Sequence, residues 1–190
     1  MGENNMFNEK ILELKRITNV NIGTAKNALV KSNYDMDKAI LLIREEGLKI
    51  AHQRRYKLTK FSTIGAYLHS NQKIAALVEI ACESESTSNS DYFKTFANNL
   101  AKQIVSSKCI FISKDDIPLE NIEKIKTDIE DGNVNDCSLI DDLDFYFQEN
   151  CLLSQKYIMN ENITIDELIV EFIYTHQENV EIKKFVRYEV

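Results

Sequence analysis

The residue types able to do chemistry are scattered in this chain. His52, His69 and His176 lie far apart, and Cys82, Cys109, Cys137 and Cys151 form no Cys-x-x-Cys pair. None of the cysteines falls at ligand spacing from a histidine, so no zinc centre is expected. Scattered cysteines without a secretory leader read as reduced, packed thiols. The five glycines stand singly, whereas a phosphate-cradling loop needs them clustered so that the backbone can wrap the anion. Gly-x-Ser-x-Gly and His-Glu-x-x-His are absent. No catalytic, cofactor or metal residue is expected, and the chain does not read as an enzyme.

One polar run stands out, "ESESTSNS", Glu83 to Ser90. It lies between the strand-like "ALVEIAC" and a helix-like segment. Carboxylates and hydroxyls suit hydrogen bonding at a partner surface, but composition alone reads the run as a solvated connector.

The elements around it are legible from periodicity. Phe7, Ile11, Leu14 and Ile17 recur on one helical face. "TNVNIG" interrupts them, and Ala25, Ala28 and Leu29 mark a second helix with Thr24 as its cap. Asp35 caps a third, carrying Met36, Ala39, Ile40 and Ile43, with Gly47 as its expected stop. "LKIAHQRRYKLTK", residues 48–60, is the one basic stretch. It reads as a helical or extended linker, or as a basic arm for RNA or an acidic protein face.

"FSTIGAYLHSNQKIAALVEIAC" reads as a β-hairpin turning at "SNQ", with its second strand central. Ser90 caps a helix whose stripe is Phe93, Phe96, Ala97, Leu100, Ala101, Ile104 and Val105. "CIFIS" offers a short strand, and Pro118 opens the next helix. "EDGNVND" is a loop. Helices follow over 140–153 and from Ile165 to about Tyr174, and "VEIKKFVRYEV" closes the chain as a strand. Helices segregated from a small hairpin-built sheet indicate an α+β fold.

The totals set outer bounds. The chain has 190 residues and a formal charge of −7, which disfavours indiscriminate nucleic-acid binding. No apolar run reaches the roughly 18 residues of a membrane span. The N-terminal stretch has no leader pattern, so a bacterial-type cytoplasm is expected, or else an organelle.

In this order the pieces resemble elongation factor Ts, the guanine nucleotide exchange factor for elongation factor Tu. "ILELKRITNVNIGTAKNALVKSNYDMDKAILLIREEGLKIA" is similar to the family's ubiquitin-associated-like N-terminal bundle. "IGAYLHSNQKIAALVEIACES", "DYFKTFANNLAKQI", "ENCLLSQKYIM" and "ENVEIKKFVRYEV" are similar to its core. The resemblance implies a bundle over residues 1–47, the basic linker over 48–60, and one antiparallel-sheet core domain over 61–190. It implies a protein that binds Tu·GDP, perturbs its Mg²⁺ and phosphate site, and promotes release of GDP in exchange for GTP. No membrane or nucleic-acid partner is implied. Compact members can pair two-fold, so a homodimer is among the expected assemblies.

The resemblance also assigns partner-binding residues. Ser84, Glu85, Ser86 and Thr87 take the place of the family's intruding Thr-Asp-Phe-Val loop. Val20, Asn21, Ile22 and Gly23 take the place of the turn before the second helix, where the family has a Gly-Ala-Gly-Met-Met-type run. Ser84 keeps a hydroxyl and Glu85 a carboxylate, but Ser86 replaces the aromatic wedge. The alternative is therefore a Tu-binding module with weak or lost exchange activity.

Overall fold

The computed structural model describes residues 2–18, 20–130 and 139–190. Asn19, Cys137 and all of the "EDGNVND" loop after Glu130 lie outside the described residues. The chain divides into two compact units. The first comprises Met1–Phe61, Cys82–Glu85 and Glu167–Glu181; the second comprises Ser62–Ala81, Ser86–Asp166 and Ile182–Val190.

The first unit is helical. α1 (Gly2–Thr18), α2 (Ile22–Lys31) and α3 (Met36–Arg54) pack around Ile11, Leu14, Val20, Ala25, Leu29, Ala39 and Ile43. The apolar face of α1 drifts with the 3.6-residue period. Ile17 is therefore largely exposed, while Thr18 is buried and donates its hydroxyl to Leu14 O at 2.7 Å. The cap of α2 is Asn21, whose side chain accepts from the Thr24 amide at 2.9 Å; the helix starts two residues before the expected Thr24. Asp35 caps α3 as expected, accepting from the Lys38 amide.

Gly47 does not end α3. The helix runs through it to Arg54. A Cβ at position 47 would sit 3.3 Å from Val170 Cγ1 and 3.7 Å from Tyr174 Cβ, both on α8 (Ile165–His176). Gly47 thus serves a close approach between helices. Tyr174 also packs against the bundle core, and its hydroxyl donates to Glu46 Oε2 at 2.9 Å. Burial, helped by the Glu46 carboxylate, pushes the Tyr174 phenol up to about 12.

The second unit is built on a three-stranded sheet ordered β1 (Phe61–Leu68), β2 (Ile74–Cys82), β5 (Val180–Glu189). The hairpin turns at residues 69–73, closed by His69 N–H to Ile74 O at 2.9 Å with Gln72 at φ 58°. β2 is central, as its longer apolar run implies. α5 (Asp91–Ser106) is capped by Ser90, and its whole expected stripe from Phe93 to Val105 is buried. α5 lies so close to β1 that a Cβ on Gly65 would be 2.2 Å from Ala97 O.

The rest of the second unit departs locally from expectation. "CIFIS" is not a full strand: Phe111 makes an isolated parallel bridge with Cys151, and Ile110, Phe111 and Ile112 share backbone bonds with Asn150, Leu152 and Leu153. A capped 3₁₀ turn over Lys114–Asp116 follows. Then come α6 (Leu119–Glu130), opened by Pro118 as expected, and α7 (Leu139–Asn150), which stops short of the expected Leu153. A ribbon of β3 (Lys156–Tyr157) and β4 (Asn160–Thr164) was not anticipated. The α+β class is as read from the sequence.

Candidate partner-binding site

The polar run after β2 is not a plain connector. Residues Glu85–Asn89 form a short helix, α4, at the point where the chain passes from the first unit to the second. Of the four residues expected to meet a partner, Glu85 and Ser86 are exposed. Thr87 is buried, with its hydroxyl 3.3 Å from Tyr92 Oη. Ser88 is also buried, and its carbonyl accepts from the Thr63 hydroxyl at 2.6 Å. Ser84 is half-buried, and its hydroxyl points inward.

Ser84 is gripped by one carboxylate. Its hydroxyl donates to Glu178 Oε1 at 2.7 Å and its amide to Glu178 Oε2 at 3.2 Å. The preceding residue, Glu83, is held as firmly. Its carboxylate accepts from Arg54 Nη1 at 2.9 and 3.2 Å and from the Asn179 amide at 2.6 Å. Both members of the Arg54–Glu83 pair are largely shielded, at 28% and 21% side-chain exposure, so water screens the pair less than a surface pair. Asn179 is buried and donates its side-chain amide to Lys57 O at 2.9 Å. Cys82 completes the anchorage, donating its thiol to Ser84 O at 3.2 Å.

Sequence reasoning missed Arg54, Glu83, Glu178 and Asn179 as members of this site. The first was read with the basic stretch, where its guanidinium is in fact turned onto Glu83. Glu178 and Asn179 are ordinary polar residues in a turn, and nothing local marks them.

The N-terminal residues sort by burial. Val20 is buried and fills the turn from inside. Asn21 caps α2, and a Cβ on Gly23 would lie 3.2 Å from its Oδ1. Ile22 is 53% exposed at the first position of α2. An exposed β-branched residue at a helix start contributes little to the bundle, so it is the one apolar group of the four presented outward.

The sheet has a second exposed feature. Gly65 turns toward α5, so Ile64 and Leu68 on β1 face the other way. Leu77 on β2 alternates with buried Ala76 and Val78. Lys184 pairs with Glu79 at 3.2 Å across this outer face, which places Val186 and Tyr188 on it too. Ile64, Leu68, Leu77, Val186 and Tyr188 are all exposed, making an apolar sheet face.

Among the described residues, no group of three or more His, Cys, Asp or Glu side chains is placed to hold a metal ion. No described helix is long and apolar enough to cross a membrane. Cys82, Cys109 and Cys151 are buried thiols outside any disulfide, and burial pushes Cys109 and Cys151 up.

Comparison with known proteins agrees with this architecture. The family model described as "Elongation factor TS" matches residues 4–190. Elongation factor Ts of Thermotoga maritima is 35% identical over 186 residues, covering 95% of this chain and 94% of the relative. That of Carboxydothermus hydrogenoformans is 34% identical over 190 residues, covering 96% and 88%. That of Caldanaerobacter subterraneus subsp. tengcongensis is 33% identical over 189 residues, covering 95% and 94%. With matches of this extent running through both compact units, the chain belongs to the elongation factor Ts family, translation elongation factors of protein biosynthesis.

Proposed function

We propose that this protein is a guanine nucleotide exchange factor for elongation factor Tu, acting in a bacterial-type cytoplasm. The observation that carries the reading is family membership over residues 4–190. In this reading the bundle of residues 1–47 grips the GTPase, with Ile22 as an apolar contact and Val20, Asn21 and Gly23 shaping the turn that presents it. Glu85 and Ser86, exposed at the start of α4, approach the magnesium site of Tu. Mg²⁺ bridges and neutralises phosphate oxygens, so a carboxylate brought near it competes for the cation and loosens GDP. The factor favours exchange by holding the nucleotide-free conformation more tightly than the GDP-bound one. No covalent step is asked of any residue in this chain, and no enzymatic activity of its own is proposed.

A second reading has its own observation. Ser86 stands where the family places an aromatic wedge, and such a wedge in a partner pocket is worth about 2–4 kcal/mol. A binding module that holds Tu without speeding release fits that loss. The exchange reading is favoured because the run that presents Glu85 is anchored by the Arg54, Glu83, Glu178 and Asn179 bonds. Release of a fluorescent GDP analogue from the cognate Tu, with and without this protein, separates the two.

The exposed apolar sheet face supports a two-fold homodimer. An isologous pair would bury Leu77, Val186 and Tyr188 of each copy on the same patch of the other.

A further inference from the structure

The exchange reading requires that Glu85 be presented in one attitude, and the turn between α8 and β5 is built to impose it. We infer that Glu178 is a positioning residue for exchange, acting through Ser84. This inference rests on the exchange reading.

The turn has the form of a clamp. α8 ends at His176, and Gln177 takes φ 56°, a left-handed conformation that non-glycine residues seldom adopt. Its amide bonds Ile173 O at 2.8 Å and its side chain bonds Tyr174 O at 2.7 Å, which hold the reversal in place. This is the left-handed ending common to helices, and it turns the chain sharply out of α8. The reversal aims two successive residues at the end of β2. Asn179 takes Glu83 through its amide, and Glu178 takes Ser84 through both carboxylate oxygens.

Two bonds from one carboxylate to the amide and hydroxyl of one residue fix its position and its rotation together. The next residue is Glu85, so the direction in which its peptide leaves Ser84 follows. Charged acceptors make such bonds stronger than neutral ones. Ser84 turns its hydroxyl inward, onto Glu178. Arg54 supports the same point from α3 by neutralising Glu83.

A merely structural clamp and a positioning clamp differ in what the Glu178→Ala variant does to exchange. Stopped-flow release of a fluorescent GDP analogue from cognate Tu is measured over a range of factor concentrations. The expected result is a maximal rate at least about ten-fold lower, with the half-saturating concentration within about two-fold of wild type, because Tu is gripped elsewhere. Ser84→Ala removes the hydroxyl bond and keeps the amide one, so it should give a loss in the same direction but smaller. The double variant should be no worse than Glu178→Ala alone, since that change already removes both bonds. Glu178→Gln keeps one acceptor oxygen and should fall between; it carries the comparison if Glu178→Ala does not fold by circular dichroism. An active wild type with Glu178→Ala within two-fold of it at saturation overturns the positioning role and leaves the exchange reading intact. A wild type that does not accelerate release removes the exchange reading and this role with it. Hydrogen exchange of the Ser84 amide in the free protein tests the clamp without Tu: it should quicken in Glu178→Ala, and an unchanged rate refutes the clamp.

Discussion

The same substitution, glycine to alanine, should have opposite consequences at two positions. At Gly65 a Cβ would lie 2.2 Å from Ala97 O, 2.3 Å from Ala97 C and 2.8 Å from Ala97 Cβ. Ordinary carbon contacts begin near 3.5 Å, so α5 must withdraw from β1 by roughly 1 Å. The atoms in the way are backbone and cannot turn aside. Withdrawal loosens the contacts of Phe93, Phe96, Leu100 and Ile104, the buried stripe of α5. Overpacking of this kind costs about 3 kcal/mol. At Gly47 the nearest atom is Val170 Cγ1 at 3.3 Å, the end of a side chain with a little room to yield. A helix-interior alanine gains about 1 kcal/mol of propensity over glycine, which offsets the tight contact. Urea unfolding followed by circular dichroism should show the Gly65→Ala midpoint lowered by on the order of 1–3 M, taking a denaturant slope of about 1–3 kcal/mol per M. Gly47→Ala should stay within about 0.5 M of the parent, a shift of the size its offsetting effects allow. A Gly65→Ala protein with the parent midpoint would refute the direct seating of α5 on β1, and a Gly47→Ala collapse would refute the account of α8 against α3.

Glu171 on α8 is pushed up to about 7 by burial, with Glu167 adding to the rise and Arg44 opposing it. Its folded-state value is above the unfolded one, so its contribution favours the folded state below about pH 4.5 and is lost as pH rises toward 7. Glu171→Gln should therefore remove a decline on the order of 1–3 kcal/mol between those limits. Equal slopes of stability against pH for the two proteins would refute it. Ser86→Phe should raise exchange on a Tu with a standard wedge pocket, and an unchanged rate would mean that α4 does not dock there. Leu77→Glu puts a charge on the apolar sheet face and should convert a homodimer to monomers in analytical ultracentrifugation, with exchange-site geometry untouched. A dimer that survives this change would place the contact elsewhere.

What could be read in advance follows the range of the interaction. The cap and stripe of α5 are local: Ser90 and every member from Phe93 to Val105 behave as their spacing dictates. The hairpin is local too, and its central strand was legible from an apolar run flanked by turn formers. Gly47 was misread because a glycine that ends a helix and a glycine that admits a neighbouring helix are the same letter. What decides between them is Val170 and Tyr174, more than 120 residues later. "CIFIS" has strand composition, but the backbone it bonds, Asn150 to Leu153, turns at once into a 3₁₀ helix over Leu152–Ser154, so the pairing ends at an isolated bridge. The four expected residues at 84–87 divide into two exposed and two turned inward because Glu178 and the Tyr92 hydroxyl lie beneath them. Neither partner is marked by any motif.

The central claim is that this chain opens the nucleotide site of Tu despite lacking the aromatic wedge. Release of a fluorescent GDP analogue from cognate Tu at saturating factor tests it most directly. Release should exceed the spontaneous rate by at least about ten-fold, a barrier lowered by roughly 1.4 kcal/mol. Tu that binds this protein and releases GDP at its spontaneous rate would contradict it.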